Sequence, residues 1–242
     1  MIIQSEYADY AAYTKTCPLD SFKSHPRYTQ MLEHVTSGLG MEYFNILKYE
    51  CGMPDSSIVE FCLLNDRIGK PNKQFIHKLS CEVSGTSLRY LYHAWLVLKR
   101  MEPGSSIVEI GCGYGGLCLA IDYLSKQTQR PVSSYECIDL DEAISLQKRY
   151  LANFQLSFPV SFHSSSTYGS DIVGSNYFLV SNYCFSEIPA IHQRKYIQTL
   201  FPKISHGFIT WNHIPLYDFG KPILSTEVER PLTGGTNLFI TF

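Results

Sequence analysis

The feature that most constrains the fold of this chain is a glycine-rich segment at residues 108–116, with the sequence Val-Glu-Ile-Gly-Cys-Gly-Tyr-Gly-Gly. A short β-rich run at residues 106–110 leads into its first glycine, and residues 115–124 have the apolar spacing of a helix. Glycines in such a turn let the backbone bend sharply and approach a ligand without an intervening Cβ. The segment therefore predicts a strand, a ligand-binding turn and a helix in that order.

The rest of the C-terminal part alternates between strand and helix patterns. Further strands are predicted at 132–138, 158–163, 177–180 and 207–211, and helices at 142–152 and 189–201. Residues 226–242 resemble two strands around a Thr-Gly-Gly-Thr turn. Such alternation predicts a Rossmann-like, doubly wound α/β sheet that is mainly parallel, with an antiparallel C-terminal hairpin.

The N-terminal part carries helical patterns instead. Helices are predicted at 26–35, 41–50 and 87–101, and residues 65–71 combine Asn, Asp, Gly and Pro in a pattern typical of a turn. A Pro-Gly pair at 103–104 marks the change of pattern. We therefore expect an N-terminal helical cap over residues 1–102 and a cofactor-binding catalytic domain over residues 103–242.

Composition narrows the class of protein. The 242 residues carry a net charge of −2, which argues against a basic nucleic-acid binder. With 45% hydrophobic and 17% charged residues, the chain is too apolar to be disordered. No apolar run is long enough for a membrane span and no signal peptide is visible, so a cytoplasmic protein is expected. The eight cysteines lack zinc-ligand spacing and are interpreted as reduced thiols.

The residues around the glycine-rich turn indicate which class of ligand it binds. The spacing of Gly111, Gly113 and Gly116 also fits a nicotinamide dinucleotide, so an oxidoreductase remains a rival. Asp139 ends the next predicted strand, where a carboxylate can accept hydrogen bonds from both ribose hydroxyls of an adenosine. The Glu109 carboxylate suits a ligand that carries an ammonium and a sulfonium. Together with the long helical region before the turn and the terminal hairpin, this favours S-adenosylmethionine.

Several further segments are informative through their sequences and their order along the chain. They include Phe-Lys-Ser-His-Pro-Arg-Tyr at 22–28, Asn-Asp-Arg-Ile-Gly-Lys-Pro at 65–71, Thr-Ser-Leu-Arg-Tyr at 86–90, Ser-Asn-Tyr-Cys-Phe-Ser-Glu at 181–187, Gly-Phe-Ile-Thr-Trp-Asn at 207–212 and Glu-Arg-Pro-Leu-Thr-Gly at 229–234. With the glycine-rich turn, these segments resemble the class I S-adenosylmethionine-dependent methyltransferases, and more narrowly their sugar O-methyltransferase family. The resemblance covers the chain from about residue 22 to its end.

The resemblance implies transfer of a methyl group from S-adenosylmethionine to a sugar hydroxyl on a glycan or glycoside. The implied partner is a saccharide and not a nucleic acid. The sequence leaves open whether the chain acts alone, within a larger glycan-assembling protein or as a homo-oligomer. Three rival interpretations remain. In the first, the methyl acceptor is a non-sugar small molecule, a lipid or a protein. In the second, the chain is an NAD-dependent oxidoreductase, and in the third it binds a ligand without catalysis.

Candidate cofactor residues gather around the turn. Arg89 could pair with the methionine carboxylate through two hydrogen bonds, and Tyr114 could pack on the cofactor or merely cover the turn. The expected cofactor-binding set is Arg89, Glu109, Gly111, Cys112, Gly113, Tyr114, Gly115, Asp139, Leu140, Ser165, Ser181 and Asn182.

Methyl transfer to a hydroxyl needs an aligned acceptor and gains from a general base. Glu187 is the first candidate for that base, although it could equally lie in the first turn of a helix capped by Ser186. His213 and Asp66 are the other candidates, and their alternatives are an exposed loop histidine and a plain turn. Tyr183 and Asn212 are expected to contact the acceptor.

No metal site is predicted from residue spacing. Glu187, Asp66, His213 and Asp218 could supply oxygen and nitrogen ligands if acceptor binding used a divalent cation.

Overall fold

The computed structural model of this chain describes residues 4–242, with side chains described from residue 8 onward. The chain forms two compact units whose segments interleave along the sequence. The helical unit contains the described residues up to Leu96 together with 113–124 and 141–155. The sheet unit contains residues 97–112, 125–140 and 156–242. The predicted domain boundary at residues 102 and 103 stays a prediction.

Helices and one small hairpin make up the first of these units. Its elements are α1 Gln4–Thr16, α2 Pro26–Thr29, α3 Ser37–Asn45, α4 Asp55–Asp66, β1 Gln74–Ile76, β2 Cys81–Val83, α5 Gly85–Arg100, α6 Gly116–Thr128 and α7 Asp141–Leu151. The last residues of α5 and α6 fall in the sheet unit. α3 continues into a π-helical turn, Ile46–Glu50, and β1 pairs antiparallel with β2.

A seven-stranded sheet forms the centre of the second unit. Its elements are β3 Ile107–Ile110, β4 Tyr135–Asp139, β5 Val160–Ser164, β6 Tyr177–Asn182, α8 Ala190–Thr199, β7 Ile204–Trp211, β8 Ser225–Val228 and β9 Leu238–Thr241. The strand order is β5-β4-β3-β6-β7-β9-β8. The first five are parallel, and β9 pairs antiparallel with both β7 and β8. The predicted Rossmann-like α/β fold, mainly parallel with an antiparallel C-terminal pair, is confirmed.

Burial explains why these strands and α8 associate. All four residues of β3 are buried, as are the first five of β6, which is typical of central strands in a parallel sheet. Leu179 of β6 and Ile209 of β7 share a core cluster with Tyr196 and Leu200 at the end of α8. Burying one such side chain contributes about 1.5–3 kcal/mol.

Parallel pairing brings the carboxyl ends of the central strands to one edge of the sheet. Ile110 pairs with Ile138, which places Gly111 beside the end of β4, and Asn182 pairs with Thr210 near the end of β7. β9 runs in the opposite direction and its Leu238 pairs with Trp211. The loop at residues 229–237, which leads into β9, therefore lies at this same edge.

Three helical expectations need correction. The helix predicted at 26–35 ends at Thr29, and the chain continues in turns in which the Met31 and Leu32 amides both donate to the Tyr28 carbonyl oxygen, at 3.1 and 3.0 Å. The helix predicted at 41–50 begins earlier, at Ser37, where the Thr36 hydroxyl caps the Leu39 amide at 3.3 Å. The turn predicted at 65–71 starts two residues too early, since α4 includes Asn65 and Asp66.

Within the described residues, none of the helices has both the length and the apolar composition needed to cross a bilayer.

Candidate active site

The glycine-rich turn begins in the sheet unit, directly after β3. Gly111 has φ +80°, and its amide donates to the Ile138 carbonyl oxygen at 2.9 Å. A Cβ at this position would overlap the thiol of Cys184 and would lie 2.5 Å from its Cβ. The turn therefore requires glycine here both for its backbone conformation and for its close approach to Cys184.

Asp139 ties the turn to the end of β4. One carboxylate oxygen accepts the Cys112 amide at 2.8 Å, and the other accepts the Leu140 amide at 2.8 Å. The side chain is only partly buried, so this carboxylate lies at the sheet edge with a defined orientation. Asp139 occupies the strand end expected of a ribose-binding carboxylate, as the sequence pattern predicted. Leu140 beside it is 37% exposed.

Glu109 lies deeper than its place in the motif suggests. It is buried, and the Tyr135 hydroxyl donates to its carboxylate at 2.7 Å. Burial raises the pKa of Glu109 to about 8, so the carboxyl is largely protonated at neutral pH. The Cys112 thiol donates to the Glu109 backbone carbonyl at 3.3 Å. These contacts favour a role in supporting the turn over direct contact with a cationic ligand.

The second half of the turn belongs to the helical unit. A Cβ on Gly113 would lie 3.2 Å from a methyl carbon of Leu32 and 3.4 Å from the Tyr90 hydroxyl oxygen. A Cβ on Gly115 would lie 3.0 Å from the side chain of Leu151. Neighbouring side chains within this unit therefore leave little room for a Cβ at either position.

Tyr114 is fully buried between these glycines, so its ring supports the turn from within. Its hydroxyl accepts a hydrogen bond from the Asn65 amide at 2.9 Å, and its ring meets that of Tyr150 edge to face at 4.8 Å. The buried Lys23 ammonium lies 4.2 Å from the Tyr114 ring centroid and donates to the Asn65 carbonyl oxygen at 2.7 Å. Of the two roles that the sequence left open for Tyr114, these contacts favour covering the turn.

Sequence reasoning missed Lys23 and Asn65 as supports of the turn. Asn65 stood in the quoted segment at 65–71, but its polar character suggested only a turn. Lys23 stood in the segment at 22–28, beside Phe22, and nothing in that pattern distinguishes a buried lysine from an exposed one.

Asp66 is also buried, and its carboxylate is engaged by the start of α5. The Ser84 amide and hydroxyl donate to it at 2.7 and 2.8 Å, and the Ser87 hydroxyl donates at 2.5 Å. The Ser84 hydroxyl in turn caps the Ser87 amide at 3.1 Å. Asp66 also borders an open groove of about 640 Å³ whose other lining residues are Asp20, Arg67, Lys70, Pro71, Asn72, Lys73 and Glu82. These bonds favour a structural role for Asp66 over that of a general base.

Near the ends of β6 and β7, three of the predicted residues come together. The Asn212 side-chain amide donates to the carboxylate of Glu187 and to the backbone carbonyl of Tyr183, the latter at 3.2 Å. Asn212 is buried while Glu187 is exposed, so a fixed amide orients a carboxylate that reaches solvent. Ser186, the predicted helix cap, does not cap α8, which begins at Ala190. Its hydroxyl accepts the Asn212 backbone amide at 3.2 Å.

Glu229 is a functional candidate that sequence reasoning did not single out. It is buried, and the Tyr183 hydroxyl donates to its carboxylate. The Thr233 amide and the Asn237 side-chain amide donate to the same carboxylate at 2.9 and 3.0 Å. Glu229 therefore fixes both the ring of Tyr183 and the loop at residues 229–237. Its only sequence indication was its place in the segment at 229–234.

The remaining predicted residues are more dispersed. His213 is exposed and lies beside Gly235, with 3.1 Å between its Cβ and a Cβ built on that glycine. The buried Ser181 hydroxyl donates to the Ile110 carbonyl oxygen at 2.9 Å, and the Asn182 side chain accepts the Thr210 hydroxyl at 2.7 Å. Ser165 begins a short 3-10 helix after β5. Arg89 is buried beside Leu32 in the helical unit.

No metal centre is evident in the part of the chain that the structure describes, because no three His, Cys, Asp or Glu side chains come together as metal ligands would. Glu187, His213 and Asp218 of the sheet unit thus form no such group.

Comparison with known proteins gives a likeness of fold. No family model and no curated protein matches the sequence. The structure is similar to an S-adenosylmethionine-dependent methyltransferase from Aquifex aeolicus, with 16% identity, 63% of this chain and 89% of that chain covered, and a TM-score of 0.47. It is also similar to magnesium protoporphyrin IX methyltransferase from Synechocystis PCC 6803 with bound S-adenosylmethionine (12% identity, 64% and 79% covered, TM-score 0.45).

A third similar structure is the rRNA methyltransferase aviRa from Streptomyces viridochromogenes, with 12% identity, 63% of this chain and 83% of that chain covered, and a TM-score of 0.40. None of these three proteins is named for a sugar acceptor, and one is named for RNA. The likeness concerns the fold, so the reaction and the acceptor have to be argued from the residues of this chain.

Proposed function

We propose that this chain is an S-adenosylmethionine-dependent O-methyltransferase that acts on a sugar hydroxyl. The observation that best supports this cofactor is the Asp139 carboxylate, which accepts a hydrogen bond at 2.8 Å from the Cys112 amide of the glycine-rich turn. A carboxylate and a glycine turn held together at the ends of parallel strands suit the ribose of a bound nucleoside. The rings and side chains that enclose Tyr114 keep the second half of the turn in place.

The residues present fit this cofactor. Asp139 would bind the ribose hydroxyls, since each of its carboxylate oxygens has a second lone pair besides the one that accepts a backbone amide. Arg89 remains the candidate for the methionine carboxylate. When bound, S-adenosylmethionine supplies an electrophilic methyl group on a sulfonium.

Glu187 is the proposed general base. Its carboxylate accepts the Asn212 amide, which fixes its orientation while leaving the side chain exposed to an incoming acceptor. The acceptor hydroxyl would donate to Glu187, and its proton would pass to that carboxylate as the oxygen becomes nucleophilic. Tyr183 would lie along the sugar, since an aromatic face suits the C–H face of a pyranose, and Glu229 holds its hydroxyl.

A sugar acceptor rests on the resemblance named above and on the polar residues around Glu187. The net charge of −2 disfavours a nucleic acid acceptor, because phosphate binding is driven by basic side chains.

The cofactor is tested by calorimetric titration with S-adenosylhomocysteine, and with NAD and NADH as rival ligands. We expect binding of S-adenosylhomocysteine alone, and a loss of about 10-fold or more in Asp139→Ala. The variant Glu102→Ala, which alters an exposed carboxylate of the same unit, serves as the control and should bind as the wild type does. Binding of a nicotinamide cofactor alone would overturn the proposal.

The acceptor is tested by transfer of a labelled methyl group to a panel of methyl glycosides, with an RNA oligonucleotide and a catechol as alternatives. Labelling of a glycoside that falls about 10²–10⁴-fold in Glu187→Gln, while S-adenosylhomocysteine binding is kept, would support both the acceptor and the base. Labelling of RNA or catechol with no glycoside labelled would refute the sugar assignment.

A further inference from the structure

Tyr183 has a backbone conformation that is rare for a residue with a large side chain. Its φ of +57° lies in the left-handed region, directly after β6. Such a conformation is unfavourable for an aromatic residue and persists only where neighbouring groups hold it. A strained tyrosine at the end of a central strand therefore raises the question of what its side chain does there.

Three hydrogen bonds hold Tyr183 in this conformation. Its backbone amide donates to the Thr210 carbonyl oxygen at 2.9 Å, and its own carbonyl oxygen accepts the Asn212 side-chain amide at 3.2 Å. Its hydroxyl donates to the carboxylate of Glu229. The first two bonds come from the end of β7 and the residue after it, whereas the third comes from the loop at residues 229–237. The backbone and the ring of Tyr183 are therefore held by different parts of the sheet unit.

Glu229 is 1% exposed, and both oxygens of its carboxylate are engaged. Oε1 accepts the Tyr183 hydroxyl, and Oε2 accepts the Thr233 amide and the Asn237 side-chain amide at 2.9 and 3.0 Å. The Thr233 hydroxyl lies 2.9 and 2.8 Å from the two oxygens. A carboxylate with this many donors has no lone pair left for an acceptor hydroxyl. Glu229 therefore acts on a ligand through Tyr183 and not by contact.

Tyr183 is also joined to the proposed general base. The side-chain amide of Asn212, which binds the Tyr183 carbonyl oxygen, donates to the carboxylate of Glu187 as well. One buried side chain thus holds both the Tyr183 backbone and the Glu187 carboxylate. The direction of the Tyr183 ring is then set by the bond from its hydroxyl to Glu229.

We propose that Glu229 is a positioning residue that determines acceptor specificity, because it fixes the direction of the Tyr183 ring relative to Glu187. This inference rests on the proposed function. An aromatic ring packs against the C–H face of a pyranose, and isomers that differ at one carbon present different C–H faces. A ring held in one direction distinguishes such isomers, whereas a ring that turns about its side-chain torsions accommodates several of them.

The test measures methyl transfer to the methyl glycosides of glucose, galactose and mannose; the last two sugars each differ from glucose at one carbon. Tyr183→Phe keeps the ring but removes the bond to Glu229. We expect it to raise KM for the preferred glycoside about 10-fold and to keep kcat within about threefold, since the ring contributes to binding and not to proton transfer. The preference among the three glycosides in kcat/KM should fall by a similar factor.

Glu229→Gln should give the same pattern, and the double variant should be no worse than either single variant, because both changes remove one interaction. Binding of S-adenosylhomocysteine should stay at the wild-type value in all three. If Glu229→Gln fails to fold, Tyr183→Phe still removes the same hydrogen bond from its other end.

Tyr168→Phe is the matched control. Tyr168 belongs to the same unit and has a φ of +52°, and its hydroxyl is hydrogen-bonded to His192 at 2.7 Å. It therefore shares the left-handed backbone and an anchored hydroxyl with Tyr183, but its anchor lies in α8 and not in the loop at residues 229–237. The control should keep the wild-type KM, kcat and preference.

Two results would overturn the inference while the proposed function stands. An equal fall in kcat for all three glycosides, with the preference kept, would make Glu229 a purely structural residue. Wild-type KM and preference in Tyr183→Phe would show that the ring needs no anchor. A wild type that labels none of the three glycosides also overturns the inference, and the sugar assignment of the proposed function falls with it only if the wider panel of methyl glycosides is unlabelled too.

Discussion

Gly111 shows how two separate constraints fall on one residue at the start of the turn. Its φ of +80° is unfavourable for any residue with a side chain, and a Cβ would also overlap Cys184. Gly104 has a similar φ of +84° but has nothing within 4 Å of the position of a Cβ. The two glycines therefore separate the backbone effect from the packing effect.

Gly104→Ala should lose about 1–2 kcal/mol of unfolding free energy, the cost of the backbone conformation alone. Gly111→Ala should lose about 1–3 kcal/mol more because of the clash, and should also weaken binding of S-adenosylhomocysteine. Urea unfolding and calorimetry measure the two effects. Adding Cys184→Gly to Gly111→Ala should recover part of the loss, and equal losses in both single variants would refute the packing argument.

At this same scale, the sequence could predict residues whose chemistry is local. The position of Asp139 at the end of β4 was predictable, because the strand pattern at residues 132–138 ends directly before it. The supports Lys23 and Asn65 were not, since their contacts with Tyr114 join residues far apart in the chain.

The start of α5 illustrates how an element depends on one distant carboxylate. Ser84 caps the helix and donates to Asp66 through both its amide and its hydroxyl. Asp66 therefore stabilises the helix cap from the end of α4.

Asp66→Ala should lower the free energy of unfolding by about 2–4 kcal/mol, because three buried donors lose a charged acceptor. Asp66→Asn should lose less, since one acceptor oxygen remains. Thermal and urea unfolding measure these losses, with Asp55→Ala at the half-exposed start of α4 as the control. If methyl transfer fell by several powers of ten while stability was unchanged, Asp66 would be the general base that the sequence first suggested.

Elements in the C-terminal part were predictable because strand and helix patterns differ clearly there. The shortened α2 was not, because the apolar spacing of residues 28–35 continues through the turns that follow Thr29. The antiparallel pair of β8 and β9 was predictable from its turn residues and alternation.

At the scale of the whole molecule, stability should depend on pH through buried carboxyl groups. The pKa of Glu109 is about 8 in the folded protein, above its usual value of 4.5, so the folded state binds a proton that the unfolded state releases. Unfolding free energy should therefore fall as the pH rises from about 4.5 to about 8.

Glu109→Gln should remove part of this fall, about 2–4 kcal/mol between the two ends of that range. Urea unfolding of both proteins at pH 5 and pH 8 measures the difference. The stability of the wild type relative to Glu109→Gln should therefore fall between pH 5 and pH 8. A constant difference at both values would show that Glu109 keeps an ordinary pKa.

The interleaving of the two units has a consequence for synthesis on the ribosome. The helical unit needs α7, which ends at Leu151, and further residues up to 155, whereas the sheet unit needs β9, Leu238–Thr241, to pair with β7 and β8. β3 and β4 are thus synthesised about 100 residues before β9, the strand that completes the sheet. All segments of the helical unit are therefore synthesised while the sheet still lacks β6 and β7, its centre, and β8 and β9, its last strands.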